Sequence, residues 1–557
     1  MKKILITASF LVAFGFANAQ EKKQDVKKEN DLKTWYHKNF DATKVYGVNT
    51  EGAYQFFQSK KLKPTTVIVG VLDSGVEVDH PGLIKNMWTN PKEVANNGKD
   101  DDGNGYIDDM HGWNFIGGAK GDVNIDNLEV TRMVAKYQPI FEGKNSAKNK
   151  ANQAKMPEEF KMYMKSKKIF STKGARGKQM VQRFDMLRGL VPTMVKMLNG
   201  KNFTVENLKA IKPAGQKEMM ALQIMGQVSQ DKSIIGKTPA QFKTYIEEQL
   251  NEGYKHFESE IKQYDLNFDP RKEIVGDNYE DYSERIYGNN HYEGPDALHG
   301  THVAGIIAGL AHDKEVKHGV AYKVAKIMTV RTVPDGDERD KDIANAIRYA
   351  VDNGATILNM SFGKPVSPGK KEVWKAFKYA EKKGVLLVKA AGNSNEDISE
   401  HIHYPTSYVN VTDAKPIVNN VLTVGASTKN PDNLRAGFSN YDEKLVDVFA
   451  PGAEIYSTVP DAKYRYLQGT SMASPVVAGA AAILKSYMPH LTPAQIIESL
   501  VKTSNKSTVN AHLKEDANAD FSVLSRAGGV IDVKKAAEYA YTHFKKRSWL
   551  ARLFGGK

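Results

Sequence analysis

The chain has 557 residues, a formal net charge of +13 and no cysteine. This length is ample for one large hydrophobic core and an additional domain, and the missing cysteines exclude disulfides and a lipid-attachment cysteine. Stability in an oxidising compartment must then come from the core and from any bound ion. Nucleic acid is not an expected partner, because no aromatic platform or recognised binding module accompanies the positive charge.

The N-terminus has the pattern of an export signal. Two lysines follow the first methionine, an apolar stretch ILITASFLVAFGF comes next, and the residues Ala-Asn-Ala at 17–19 are typical of a cleavage site. The apolar stretch is too short to span a membrane comfortably, which favours cleavage over anchoring, and no later segment is long and apolar enough to be a transmembrane helix. We therefore expect a signal peptide at 1–19, an N-terminal segment at 20–60, and export to the periplasm or the exterior.

The first part of the main domain, residues 61–130, begins with the apolar run VIVGVLDSG at 67–75 and continues into an acidic loop, NGKDDDGNGYIDD, at 97–109. The loop has the spacing of the first half of a calcium site, with Gly105 at the sharp turn. His111 stands where a final glutamate ligand would be expected, so the remaining oxygen must come from Asp109, water or elsewhere. A glycine-rich surface turn is the alternative. A bound calcium would serve stability rather than chemistry, and its candidate ligands are Asp100, Asp102, Asn104, the carbonyl of Tyr106, and Asp108.

Residues 131–266 lack strand alternation and contain helical patterns, of which TPAQFKTYIEEQLNEGYKHFESEI is the clearest. In that segment Thr238 and Gln241 predict a capping box. The region is rich in methionine, and residues 141–200 carry 14 Lys and Arg against 4 Asp and Glu. A methionine-filled helical core with solvated lysines is the simpler interpretation. The alternative is an adaptable basic surface for an envelope partner.

Apolar runs without clean alternation continue after this insertion, at 325–331, 355–362, 385–391 and 421–427. Such runs suit parallel strands that are buried on both faces. Helical stretches at 342–354 and 370–384 separate them, and each stretch ends on a glycine suited to a helix C-terminus. The pattern predicts an α/β fold with a doubly wound, mostly parallel sheet and an inserted helical subdomain at 131–266. The second part of the main domain is expected at 267–545, and a basic tail at 546–557.

Four polar residues stand at informative places in these elements. Asp73 ends the first predicted strand, His299 begins the helix HGTHVAGIIAGLA, Asn393 follows a buried strand, and Ser471 lies at a helix start in GTSMASP. Each has an ordinary structural explanation, and His299 with His302 could also be a metal pair. A zinc site lacks a third ligand, however, because the chain has no cysteine and no HExxH helix.

Taken together in their chain order, these segments resemble the subtilase family of serine peptidases. The resemblance implies that Ser471 is the nucleophile, His299 the general base and acid, Asp73 the orienting carboxylate, and Asn393 the donor to the oxyanion. It also implies two walls of the substrate pocket, formed by Ser361, Phe362 and Gly363 and by Ala390, Ala391 and Gly392.

The resulting expectation is a secreted, calcium-assisted endopeptidase that cleaves polypeptides through an acyl-enzyme intermediate. The alternative is a catalytically silent binding or scaffold protein of the cell envelope that keeps the cleft for docking. The long interval between Asp73 and His299 departs from the compact arrangement of the family, which is why an insertion is predicted there. The residue preferred before the scissile bond, the natural substrate and the oligomeric state do not follow from the sequence.

Overall fold

The computed structural model describes residues 31–310, 319–513, 516 and 518–544. The predicted signal peptide and basic tail lie outside the described residues. Within them, the chain divides into two compact units. One, the helical unit, comprises residues 168–265, and the other, the sheet unit, comprises residues 31–167 and the described residues from 266 onward.

A nine-stranded sheet forms the centre of the sheet unit, with the strand order β12-β13-β9-β8-β7-β6-β1-β5-β2. Neighbouring strands are parallel except for the antiparallel pair β12 and β13. Two antiparallel pairs, β3 with β4 and β10 with β11, lie outside it. The strands are β1 (Val67–Asp73), β2 (Gly112–Asn114), β3 (Gly117–Gly118), β4 (Gly121–Asp122), β5 (Ala325–Arg331), β6 (Ile357–Met360), β7 (Leu386–Ala390), β8 (Val421–Ser427), β9 (Val448–Pro451), β10 (Ile455–Val459), β11 (Lys463–Leu467), β12 (Asn505–Lys506) and β13 (Gly529–Val530).

The described α-helices alternate with these strands or belong to the insertion. They are α1 (Phe40–Thr43), α2 (Thr50–Ser59), α3 (Glu129–Phe141), α4 (Ser146–Lys155), α5 (Pro157–Lys173), α6 (Arg176–Leu198), α7 (Val205–Lys209), α8 (Gln216–Val228), α9 (Pro239–Gln263), α10 (Arg271–Ile274), α11 (Leu298–Ala308), α12 (Asp340–Asp352), α13 (Lys370–Lys382), α14 (Thr470–Tyr487), α15 (Pro493–Thr503) and α16 (Val533–His543). Short 3-10 helices lie at Trp35–His37, Ile84–Asn86, Lys232–Ile234, Pro431–Asn433 and Phe521–Val523.

Both faces of the central sheet are buried, as the apolar runs predict. Along β1, Val69 and Val71 pack into a core that contains residues of α11, α14 and α16, whereas Leu72 packs into a second core with residues of α12 and α13. Helices α12 and α13 are each followed by a glycine of positive φ, Gly354 at +88° and Gly384 at +74°. Glycine is the residue that most often takes this left-handed position at a helix end, because it has no Cβ to clash. The predicted α/β fold is confirmed.

The N-terminal segment is part of the sheet unit's core. Trp35, Tyr36 and Phe57 are at most 2% exposed and belong to the same cluster as the strand residues of β1. The ring of Phe57 stacks on Tyr487, the last residue of α14, with 4.4 Å between the ring centroids. Helix α2 therefore covers one end of the buried helix that carries Ser471.

The helical unit has its own apolar core, around α6 and α9. Phe203 and Phe242 stack there at a centroid distance of 4.6 Å, and the predicted capping box of Thr238 is present. Methionines of this unit lie both in its core and on its surface. Met194 is buried in the core, whereas Met219 is 55% exposed.

Candidate active site

Asp73 and His299 meet at the carboxyl edge of the sheet. Asp73 is the last residue of β1 and is 2% exposed, and His299 lies in the first turn of α11. The distance from His299 Nδ1 to Asp73 Oδ1 is 2.6 Å. Partial burial opposes protonation of His299, but the negative charge of Asp73 and its hydrogen bond outweigh burial and raise the pKa of the imidazole. The carboxylate thus fixes the ring and favours a proton on Nδ1.

Ser471 lies in the first turn of α14, where the backbone N–H groups of a helix have no partners within the helix. Its Oγ donates to the carbonyl of Ser361 at 3.1 Å, and Ser361 Oγ donates in turn to the carbonyl of Ser471 at 2.8 Å. Among the described residues no hydrogen bond joins Ser471 Oγ to His299. Catalytic hydrogen bonds are often long before substrate binds and tighten in the complex.

Asn393 follows β7 and is held by the residue before Ser471. Its Oδ1 accepts hydrogen bonds from the backbone N–H of Thr470 at 2.8 Å and from the Thr470 hydroxyl at 2.9 Å. This orients the amide so that Nδ2 remains the donor. A Cβ placed on Gly469 would lie 3.3 Å from Asn393 Nδ2 and 3.6 Å from Ser471 N. Both nitrogens therefore lie near one point beside the serine, where N–H donors can stabilise an oxyanion.

The two predicted pocket walls lie at the ends of adjacent strands. Ser361, Phe362 and Gly363 follow β6, and Ala390, Ala391 and Gly392 end or follow β7.

A histidine that the sequence patterns did not indicate lies between these walls. A Cβ on Gly363 would come within 2.1 Å of His403 Cε1, and one on Gly392 within 2.9 Å of His403 Nε2. Burial and the nearby positive charges of Lys389 and Lys165 lower the pKa of His403 to about 3, so the imidazole is neutral. Its position depends on the backbone pairing of Tyr404 with Lys364, which only the tertiary structure shows.

A cavity of about 360 Å³ adjoins the catalytic candidates. Asp73, His299 and the wall at 361–363 form one side of it. Acidic residues contribute to the rest of its lining, namely Asp296, Asp335 and Glu338.

The acidic loop brings together two of the predicted calcium ligands and one residue from outside the motif. Carboxylate oxygens of Glu93, Asp100 and Asp102 lie within 4.8 Å of one another. Glu93 Oε1 accepts the N–H groups of Asp101 and Asp102, whereas its buried Oε2 makes no hydrogen bond to the described residues. Three hard oxygen donors with one buried, unpartnered oxygen suit a calcium ion.

The other predicted ligands make hydrogen bonds within the loop or near it. Asp108 accepts the N–H groups of Asn97 and Gly98, and Asn104 Oδ1 accepts that of Tyr106. The side chain of Asp109 accepts hydrogen bonds from Asn90, Asn104 and Tyr349, and burial raises its pKa to about 6.

The second histidine of α11 is a packed residue. His302 is fully buried, and its Nε2 lies 3.0 Å from the carbonyl of Arg465. Burial lowers the pKa of His302 to about 3, so the ring is neutral.

A sequence profile of the Subtilase family, Peptidase_S8, matches residues 65–528. Subtilisin DY of Bacillus licheniformis is 38% identical over 207 residues, covering 37% of this chain and 70% of that protein. Thermitase of Thermoactinomyces vulgaris is 37% identical over 219 residues, covering 38% of this chain and 72% of that protein. The crystal structure of a cold adapted subtilisin-like serine proteinase matches at 31% identity over 40% of this chain and 72% of that chain, with a TM-score of 0.32.

The profile and the relatives define this protein as a serine endopeptidase. The chain belongs to the Subtilase family. The predicted family and enzyme class are confirmed, and polypeptides are its substrates. Across the part of the chain that the structure covers, no helix combines the length and apolarity needed to span a bilayer.

Proposed function

We propose that the protein is exported and hydrolyses peptide bonds through an acyl-enzyme formed on Ser471. The observation that carries this proposal is the 2.6 Å contact between His299 and Asp73, and the nearness of Asn393 Nδ2 to Ser471 N supports it. A serine hydroxyl is a weak nucleophile until a base removes its proton, and the base needs a partner that stabilises its cation.

Each group then has one role. Ser471 Oγ leaves the carbonyl of Ser361, gives its proton to His299 Nε2 and forms a bond to the substrate carbonyl carbon. The carbonyl oxygen becomes an oxyanion that accepts hydrogen bonds from Asn393 Nδ2 and the N–H of Ser471. His299 next protonates the leaving amine, and the peptide bond breaks. Water attacks the acyl-enzyme by the same route, with His299 again the base.

Substrate binding is proposed at the walls formed by 361–363 and 390–392. The two segments end adjacent strands, and an extended peptide can add its backbone to an exposed strand edge.

The proposal predicts covalent labelling at one residue. A peptidyl phosphonate should react with the purified mature protein at one equivalent per chain, because the phosphorus is attacked by the activated serine, and peptide mapping should place the adduct on Ser471. Ser471→Ala should lose the label. Labelling that persists in Ser471→Ala would contradict the assignment.

Ser471 Oγ donates to Ser361 rather than to His299, so the serine must turn before it can react. The same experiment tests this step. A folded protein that binds peptides but never reacts with the phosphonate would contradict the acyl-enzyme route.

We also propose that Glu93, Asp100 and Asp102 hold a calcium ion that stabilises the loop at residues 93–108. Calcium at 100 times its Kd should raise the free energy of unfolding by about 2.7 kcal/mol and raise the melting temperature accordingly. Glu93→Gln should reduce this gain in calorimetry, whereas Glu443→Gln, an exposed control, should keep it. An equal gain in both variants would place the ion elsewhere.

Three features stay predictions. They are the removal of residues 1–19, a periplasmic or extracellular location, and an envelope partner for the basic insertion. The apolar stretch at 4–16 and the Ala-Asn-Ala site at 17–19 support export. Mass spectrometry of the N-terminus of the exported protein checks the cleavage site.

A further inference from the structure

The cavity beside His299 contains more carboxylates than the triad uses. Asp296, Asp335 and Glu338 line it in addition to Asp73. Its lining also includes Arg331, which is 1% exposed. The guanidinium of Arg331 donates to the carbonyls of Ser74 and Val123 and to the side chain of Asn114, and no carboxylate is among these partners.

Among these carboxylates, Glu338 is a buried side chain without a polar partner among the described residues. It is 2% exposed, and its Oε1 makes no hydrogen bond to any described residue. No described Lys, Arg or His nitrogen forms an ion pair with its carboxylate within 4.0 Å. A buried carboxyl without a partner is costly unless it is neutral or a cation reaches it.

The nearest ammonium is already engaged. Lys364 Nζ lies 2.8 Å from Glu129 Oε2 and 3.0 Å from Asp340 Oδ1, and it donates to the backbone carbonyl of Glu338 at 2.7 Å. Burial raises the pKa of Glu338 to about 8, against the lowering effect of Lys364. A cation that enters the cavity would lower this pKa, so that the proton passes to solvent and the carboxylate pairs with the cation.

Hydrogen bonds hold the backbone around Glu338, and burial restricts the positions that its carboxyl can take. Asp335 exchanges backbone hydrogen bonds with the segment at 124–126, at 2.8 Å and 3.1 Å. Arg132 and Lys364 both donate to the carbonyl of Glu338. A binding group that is fixed before its ligand arrives loses little entropy on binding.

We propose that Glu338, with Asp335 and Asp296 in the same lining, forms a subsite for a cationic nitrogen of the peptide substrate. The inference rests on the proposed function. The cavity shares the wall at 361–363, so the subsite serves residues on the acyl side of the scissile bond. Two groups have this chemistry, a lysine or arginine side chain and the free α-amino group of a short peptide.

Matched peptides test the subsite on the mature protein. The peptides are acetylated octapeptides, compared in pairs that carry either lysine or norleucine at the second, third or fourth residue before the scissile bond. The two members of a pair differ only in the ammonium group of the lysine. At one of these positions lysine should raise kcat/KM about tenfold or more, the gain typical of a charge-assisted hydrogen bond. In Glu338→Gln the ratio of the two rates should fall to within twofold of unity. Asp432→Asn, an exposed control, should keep the ratio.

Removal of the acetyl group distinguishes the source of the cation. If the α-amino group is the ligand, unblocked norleucine peptides should be cleaved about tenfold faster than acetylated ones, and this gain should disappear in Glu338→Gln. A gain from lysine alone identifies a side-chain subsite.

Binding to Ser471→Ala keeps the test independent of turnover. Fluorescence anisotropy with labelled lysine and norleucine peptides should give the same preference in Kd. Equal rates and equal affinities for all charged and neutral pairs would overturn the subsite, as would a preference that survives in Glu338→Gln. Absence of phosphonate labelling, with the preference in Kd intact, would refute the proposed catalysis and leave the subsite standing.

Discussion

Ser471→Ala is expected to lower kcat for peptide hydrolysis by about a million-fold, the size of the loss known for the nucleophile of subtilisin. The substitution removes the oxygen that forms the acyl-enzyme, while the remaining groups still bind substrate. Hydrolysis of a chromogenic peptide by purified protein, followed over hours, measures the residual rate.

Ser474→Ala is the matched control for this loss. Ser474 lies on the same helix and donates to Asn359 Oδ1 at 2.8 Å, outside the proposed catalytic groups. We expect kcat of Ser474→Ala to stay within about tenfold of that of the parent protein. The loss of one buried hydrogen bond lowers the free energy of unfolding by about 1–3 kcal/mol but removes no group that takes part in the reaction. A loss of activity in Ser474→Ala equal to that in Ser471→Ala would refute a specific role for the nucleophile.

Asp73→Asn is expected to reduce kcat by about ten thousand-fold, as the same change does in serine peptidases with this triad. The asparagine NH2 donates a hydrogen bond to Nδ1, so His299 carries its proton on Nε2 and cannot remove a proton from Ser471. Single-turnover acylation kinetics measure the effect at the chemical step.

The pH profile gives the same substitution a second readout. His299 must be neutral to act as a base, so activity falls as the pH drops through its pKa. Asp73 raises that pKa, because a nearby negative charge favours the imidazolium. Asp73→Asn should therefore move the acid limb of kcat/KM to lower pH. An unmoved or raised acid limb would contradict the proposed pairing.

Sequence patterns predicted strands and helix ends well, because these features depend on residues that are close together in the chain. The runs at 325–331 and 421–427 coincide with β5 and β8, and the capping box at Thr238 is present. The contact between Asp73 and His299 followed from the resemblance rather than from any short-range signal, because 226 residues separate them. The domain boundaries and the catalytic roles stay predictions.

The residues that sequence reasoning missed are all set by tertiary contacts. Glu93 precedes the acidic motif and reaches Asp100 only through the folded loop. His403 lies between the pocket walls because Tyr404 pairs with Lys364. Glu338 is distinguished by its burial and by the missing partner of its Oε1 among the described residues, which only the folded structure shows. A glutamate or histidine in a loop carries no pattern of its own, so a single sequence offers no signal for such residues.

The packing of residues 31–60 against α14 limits where the chain can be cut at its N-terminal end. Trimming that removed this segment would uncover Trp35, Tyr36 and Phe57, and each such side chain contributes about 1.5–3 kcal/mol by its burial. The uncovered surface would include the end of the nucleophile's helix at Tyr487. Proteolytic processing that yields an active enzyme should therefore stop ahead of Trp35.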